Sequence, residues 1–141
     1  MSEHVLILRR DAAQATLARF EGEPFAWGRF DCAKMLAFHL RQMNLSPGSA
    51  KAGSYTSAIG ARRALTRMGV TSLADLLDRR FARIAPAAAL IGDIVALPST
   101  GKLDAIGIAL GNGRLLSYHE DAAGAVVVQP VEMLAAWRIV A

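Results

Sequence analysis

Apolar positions along this chain follow two different periods. Up to about residue 83 they recur at helical spacing, and from residue 93 onward short apolar runs are separated by glycine, proline and asparagine. In the first half, Ala13, Leu17 and Phe20 share one face and predict an amphipathic helix over 7–21, ended by Gly22 and Pro24. Leu36, His39, Leu40 and Met43 predict a second helix over 31–43, with Asp31 as its N-cap. Asn44-Leu45-Ser46-Pro47-Gly48-Ser49 has the composition of a loop. A third helix is predicted over 56–68, with Thr56 as its cap and Gly69 just past its end. Ser72 with Asp75 three residues on starts a short fourth helix over 73–83.

The second half reads as strands. Residues 93–97 form one, stopped by Pro98, and 104–110 and 114–120 form a hairpin around Gly111-Asn112-Gly113. Another strand is predicted over 125–129. Pro130 starts a short helix running to Ala135, and residues 137–140 close the sheet. Helices followed by an antiparallel sheet make an α+β plan. At 141 residues, without repeats, linkers or low-complexity tracts, the chain reads as a single domain over 1–141.

Composition narrows the function classes. No apolar run approaches the roughly 18 residues that suggest a membrane span. The N-terminus places its charges after a very short apolar run, the reverse of a secretory signal, so synthesis in a cytoplasm without an export signal is expected. One cysteine excludes an internal disulfide. His4, His39 and His119 show no ligand spacing, so neither a metal nor another cofactor is expected. The net charge of +4 includes arginine pairs at 9–10, 62–63 and 79–80, which read as solvated helix faces. No nucleic-acid motif is present, and no nucleic-acid partner is expected. A mildly basic surface also suits an anionic cell wall.

Candidate chemistry concentrates in Pro24-Phe25-Ala26-Trp27-Gly28-Arg29-Phe30-Asp31-Cys32-Ala33-Lys34-Met35, a turn that runs straight into a helix. Cys32 falls in the first helical turn, where the positive end of the helix dipole favours thiolate. Arg29 would add to that effect and Asp31 would oppose it. The competing reading is a small buried hydrophobe, the usual role of a lone cysteine.

This stretch resembles the active-site entry of the NlpC-type cell-wall peptidases, a papain-like superfamily. The shared elements are the aromatic Trp27-Gly28 turn, Asp31-Cys32 opening a helix, Gly92-Asp93-Ile94-Val95, and the strand Ala105-Ile106-Gly107-Ile108-Ala109-Leu110-Gly111. More narrowly, the chain is similar to an uncharacterised branch encoded among phage and prophage tail genes. Members of that branch share Trp-Gly-x-x-Asp-Cys and a closing segment that is Ala136-Trp137-Arg138 here. The resemblance implies an NlpC-like fold with the cysteine helix packed on the sheet. It implies a virion location in the phage tail, other tail proteins as partners, and peptidoglycan as the substrate. It makes Cys32 the nucleophile, with Trp27, Gly28, Asp31 and Ala105 lining the site. It also puts Ala105 where the family has its catalytic histidine, Ser117 at the third triad position twelve residues later, and Phe25 where many members have a tyrosine.

An alanine takes no proton, so a working site needs another base. Strand residues of equal parity share a face, which puts His119 on the face of Ser117. A three-residue loop at 111–113 makes 105 and 119 direct partners, with Cβ atoms about 5 Å apart, whereas a two-residue loop turns His119 to the other face. Asp93 reads as structural, in the turn before its strand, and Asp104 is a further polar candidate. His39 reads as a helix-face residue about two turns from Cys32. Three functions stay open. One is a thiol peptidase or amidase using Cys32 and a relocated His119. The second is a structural or binding module of the tail that has lost its base. The third, more distant, is a papain-like acyltransferase.

Overall fold

Four helices precede a six-stranded sheet in the computed structural model, which describes residues 1–99, 105–118 and 123–140. The helices are α1 (Glu3–Phe20), α2 (Cys32–Gln42), α3 (Ala58–Arg67) and α4 (Leu73–Arg80). Each starts where a short polar side chain satisfies a first-turn amide. Ser2 Oγ accepts from Val5 N at 3.2 Å, Ser57 Oγ from Gly60 N at 3.0 Å, and Ser72 Oγ from Asp75 N at 2.9 Å. The first helix therefore begins four residues ahead of its predicted start, and the third is capped by Ser57 rather than Thr56. The fourth ends earlier than predicted. Phe81 is extended and buried, and the residues after it are drawn into the sheet as β1 (Arg83–Ile84). Pairing with another strand has overridden local helical spacing there.

The other strands are β2 (Ile94–Leu97), β3 (Ala105–Gly111), β4 (Arg114–Tyr118), β5 (Ala125–Val128) and β6 (Ala135–Trp137). Their order across the sheet is β1-β6-β2-β3-β4-β5, and every pairing is antiparallel. The architecture is α+β. Two expectations for the C-terminal segment are corrected. The short helix over 130–135 is not formed, and the closing strand occupies 135–137 instead of 137–140. A few residues after a proline are too short to nucleate a helix in isolation. Leu134 N instead donates to Ala96 O at 2.8 Å, which leads the chain into the ladder beside β2.

The β3–β4 hairpin turns on two residues, Asn112 and Gly113, both at positive φ, between the paired Gly111 and Arg114. A register shift between Ala109 and Gly111 then adds one residue on the β3 side. The pairs that result are Ala109 with Leu115, Ile108 with Leu116 and Gly107 with Ser117. The register reached by Ser117 is thus the one a three-residue loop would give, although the turn itself has two residues.

The sheet has two unequal faces. Ile94, Ala96, Ile106, Ile108, Leu116 and Trp137 point into the main core, against Phe20, Met35, Leu36, Leu40 and Leu77 of the helices. Val95, Ala109, Leu115 and Ala136 point the other way, into a smaller cluster with Ile84, Leu97 and Met133.

A buried ionic clasp joins α1, the turn before β2 and the C-terminal segment. Arg9 is fully buried, which corrects its assignment to a solvated face, while its neighbour Arg10 is exposed beside Asp11. Arg9 pairs with Asp93 Oδ1 and also donates to the carbonyls of Ile91 and Ile139. Asp93 further accepts from Ile139 N at 3.0 Å, Leu90 N at 2.9 Å and Arg138 Nε at 3.0 Å. Every oxygen of this buried carboxylate is thereby matched, the condition for burying an ion pair without a large penalty. Trp137, fully buried beside it in sequence, donates its indole N–H to Asp78 Oδ1 at 2.9 Å.

Candidate active site

The turn before α2 is shaped by its hydrogen bonds and by one glycine. Ala26 N donates to Phe30 O at 3.0 Å and Phe30 N returns to Ala26 O at 2.9 Å. Gly28 sits at φ +78°, and a Cβ added there would lie 1.9 Å from the carbonyl oxygen of Tyr55. Only glycine fits, for both conformation and space.

Asp31 holds this turn to the helix. Its Oδ1 accepts from Lys34 N at 2.8 Å, the N-cap bond expected from sequence. Its Oδ2 accepts from Gly28 N at 2.9 Å and from the Tyr55 hydroxyl at 2.8 Å. With three donors on a buried carboxylate, Asp31 ties turn, helix and the segment around Tyr55 together. Burial first, and the Asp31 carboxylate second, push the Tyr55 phenol well above its ordinary range.

Cys32 is the first residue of α2, half-buried and not in a disulfide. Its Sγ lies 4.0 Å from the carbonyl oxygen of Ile106 on β3, so the helix N-terminus and the sheet meet at the thiol. Phe25 and Trp27 meet edge-to-face at 4.8 Å, and Phe25 meets Tyr118 of β4 in the same manner at 5.4 Å. The Tyr118 hydroxyl is buried and has no hydrogen-bond partner among the described residues. Burial first, then the charges of Cys32, Asp31 and Glu23, push its pKa above the ordinary tyrosine value. Arg29, expected to favour the thiolate, is exposed, with its guanidinium 6.0 Å from the Phe30 ring centre.

The positions assigned to base and orienter by resemblance fall out of phase with this arrangement. Ala105 pairs with Leu97, and Gly107, the partner of Ser117, pairs with Val95. Leu97 and Val95 belong to the smaller cluster on the face away from the helices. Strand alternation therefore puts Ala105 and Ser117 in phase with the far face, and Ile106 and Tyr118 in phase with the cysteine helix. His119 and Asp104 lie outside the described residues. His39 lies on the helix face it shares with Leu36 and Leu40, fully buried between α1 and the turn before β2. Its Nε2 is 2.8 Å from Gly92 O and its Nδ1 is 3.1 Å from Thr16 Oγ1. Burial lowers its pKa, while the ring meets the Gly92 carbonyl at Nε2 and, at Nδ1, a Thr16 hydroxyl that itself donates to Ala12 O.

The structure thus gathers Trp27, Gly28, Asp31 and Cys32 at one helix end and adds Tyr55 and Tyr118, which sequence reasoning had not singled out. Neither tyrosine carries a local signal, since each is brought in from far along the chain. A signal for Tyr118 did exist in its strand parity relative to Ile106.

A family model described as a domain of unknown function, DUF6950, matches residues 8–139. The chain belongs to this family. No curated protein matches it. The DUF6950 match takes in the whole turn around Cys32 and every partner of Asp93, from Arg9 to Ile139. Among the described residues of this DUF6950 chain, no group of three His, Cys, Asp or Glu gathers as a metal site would require. No helix among them is long and apolar enough to cross a membrane.

Proposed function

We propose that the chain is an NlpC-like protein of a phage tail, acting in the tail tip or in tail assembly, and built on the plan of a cysteine peptidase that cuts peptidoglycan stem peptides. The observation that carries this reading is Cys32 at the first turn of α2, with its thiol against the backbone of β3. Helix-terminal position stabilises a thiolate. In the catalytic form of the reading Cys32 is the nucleophile and His119 the base, in place of the histidine that the family would have at Ala105; this requires the chain to leave strand alternation after Tyr118, since Ser117 is in phase with the far face. Tyr118 supplies a buried hydroxyl on the cysteine side of the sheet.

A second reading, a catalytically inactive module of the tail, draws on a separate observation. Ala105 offers no base, and Ala105 and Ser117 are in phase with the far face of the sheet. The more distant acyltransferase alternative has no observation of its own in its favour.

Purified cell-wall sacculi and a thiol reagent separate the two main readings. A peptidase releases stem-peptide fragments, loses that release in Cys32→Ser, and slows about 10²–10⁴-fold in His119→Ala, the usual worth of a positioned base. A module leaves sacculi intact, and any reaction of Cys32 with iodoacetamide at pH 6 is indifferent to His119→Ala. Tail association is checked by co-purification with tail particles. Consistent absence from those particles contradicts both readings.

A further inference from the structure

A cleft on the other side of α2 has features that the Cys32 site does not use. It lies between α2, the segment leading to Tyr55, α3 and the start of α4, with a volume of about 680 Å³ including its open mouth. Leu36, Leu65, Met68 and Leu76 make its floor, and Cys32 is not among its lining residues. Its rim is cationic. Lys34 holds its amine 5.5 Å from the Tyr55 ring centre, and Arg41, two helical turns on, is exposed. The Arg41 side chain makes no hydrogen bond or ion pair among the described residues.

The surrounding charge is one-sided. From Cys32 to Ala74 the chain carries Lys34, Arg41, Lys51, Arg62, Arg63 and Arg67 and no acidic residue at all. The next acids along the chain are engaged, Asp75 with Arg79 and Asp78 with Arg83. An apolar floor beneath a rim that carries Lys34 and Arg41 is complementary to a molecule with an apolar body and a negative head. A stable protein partner needs about 800 Å² on each side, more than such a cleft presents by itself.

We propose that this cleft binds a single-chain amphipathic anion, an alkyl chain ending in a carboxylate, with the chain on the Leu36–Leu65–Met68 floor and the head at Arg41. The proposal is independent of whether Cys32 is catalytic.

The test is calorimetric titration of the full chain with dodecanoate, octanoate and the uncharged dodecyl maltoside, each below its micelle concentration. Dodecanoate is expected to saturate one site. Octanoate, with four fewer methylenes to bury, should bind on the order of a hundredfold more weakly. Arg41→Gln should weaken dodecanoate about two- to fivefold, the range of a partly exposed ion pair, and leave dodecyl maltoside unchanged. Ala37→Trp, which fills the cleft from α2, should abolish binding. If that variant fails to fold, Arg41→Gln at an exposed position carries the decision. Absence of saturable dodecanoate binding overturns the proposal, as does equal affinity for dodecanoate and dodecyl maltoside. Dodecanoate binding that ignores Arg41→Gln overturns it too. Sedimentation with phosphatidylglycerol vesicles without binding of monomeric dodecanoate would assign the face to a membrane surface and likewise overturn it.

Discussion

The two ends of α2 are finished in opposite ways. At the His39 end every polar group is matched: the ring is bonded on both nitrogens, and the adjoining Asp93 carboxylate receives two guanidinium groups and two amides. At the Cys32 end the carboxylate of Asp31 is equally well served, yet Tyr118 keeps a buried hydroxyl with no partner among the described residues, and Phe25 stays 43% exposed. Buried polar groups left unmatched cost stability. The contrast separates an end that serves folding from an end that tolerates a cost, as sites poised for something else commonly do. It also means that the chain's buried histidine sits in the structural half, two helical turns from the thiol it would have to serve.

The contrast breaks most visibly at Asp93. Asp93→Ala leaves Arg9 buried without its counter-ion, and a loss of about 3–5 kcal/mol is expected in denaturant unfolding. A loss below about 1 kcal/mol would show that the clasp is not structural. Gly28→Ala is expected to cost about 1–3 kcal/mol from its backbone conformation alone and to displace the Tyr55 carbonyl as well. Its Cys32 alkylation rate should change with it, since the same turn sets the thiol.

The clasp end also predicts a pH dependence. The His39 pKa is lowered in the folded protein, so the unfolded chain binds more protons at mildly acid pH. Stability should be constant above the unfolded value near 6.5 and fall as the pH drops below it, by at most about 1.4 kcal/mol per pH unit. Measured midpoints that stay flat between pH 7 and 5 would rule out a neutral buried ring. At the other end, Tyr118→Phe removes a buried hydroxyl with no partner among the described residues, and a gain of about 1 kcal/mol is expected. Destabilisation by that change would mean the hydroxyl has a partner after all, and would erase the difference between the two ends.

The smallest effect is expected at Asp78. Arg83 and then the Trp137 indole hold its carboxyl down at about 2. The stabilisation from those contacts is present above the ordinary carboxylate range and lost as pH falls through about 4 towards 2. Thermal scans of Asp78→Asn should show a shallower acid dependence over that interval than the parent chain.

Much of this was legible in the sequence. Helix order, two of the four caps and the hairpin at Gly111-Asn112-Gly113 follow from short-range chemistry, which is why Asp31, Ser72 and the strand periods pointed to them. The clasp was only half legible. Asp93 was read as structural, but Arg9 looked like half of a solvated pair, because spacing along a helix does not reveal a counter-ion 84 residues away. The two-residue β1 has no period to detect. The bulge near Leu110 could not be foreseen either, and it decides which face Ser117 shares. At the candidate site, Trp27, Gly28, Asp31 and Cys32 were adjacent in sequence and therefore visible together. Tyr55 and Tyr118 join them only through the fold.

The placement of β6 between β1 and β2 has a consequence for how the molecule is made. Of the six strands it is the last in sequence, yet two earlier strands meet only through it. Until it arrives, β1 has no neighbour and the β2 edge lies open, an apolar ladder of Ile94, Val95 and Ala96 with half its amides unpaired. Arg9 and Asp93 likewise wait for Ile139 and Arg138 to complete their bonds. A nascent chain therefore carries an adhesive edge from the emergence of β2 until β6 is made, and loses it in a single late insertion. Deleting residues 135–140 should yield a protein that aggregates rather than one that is merely less stable.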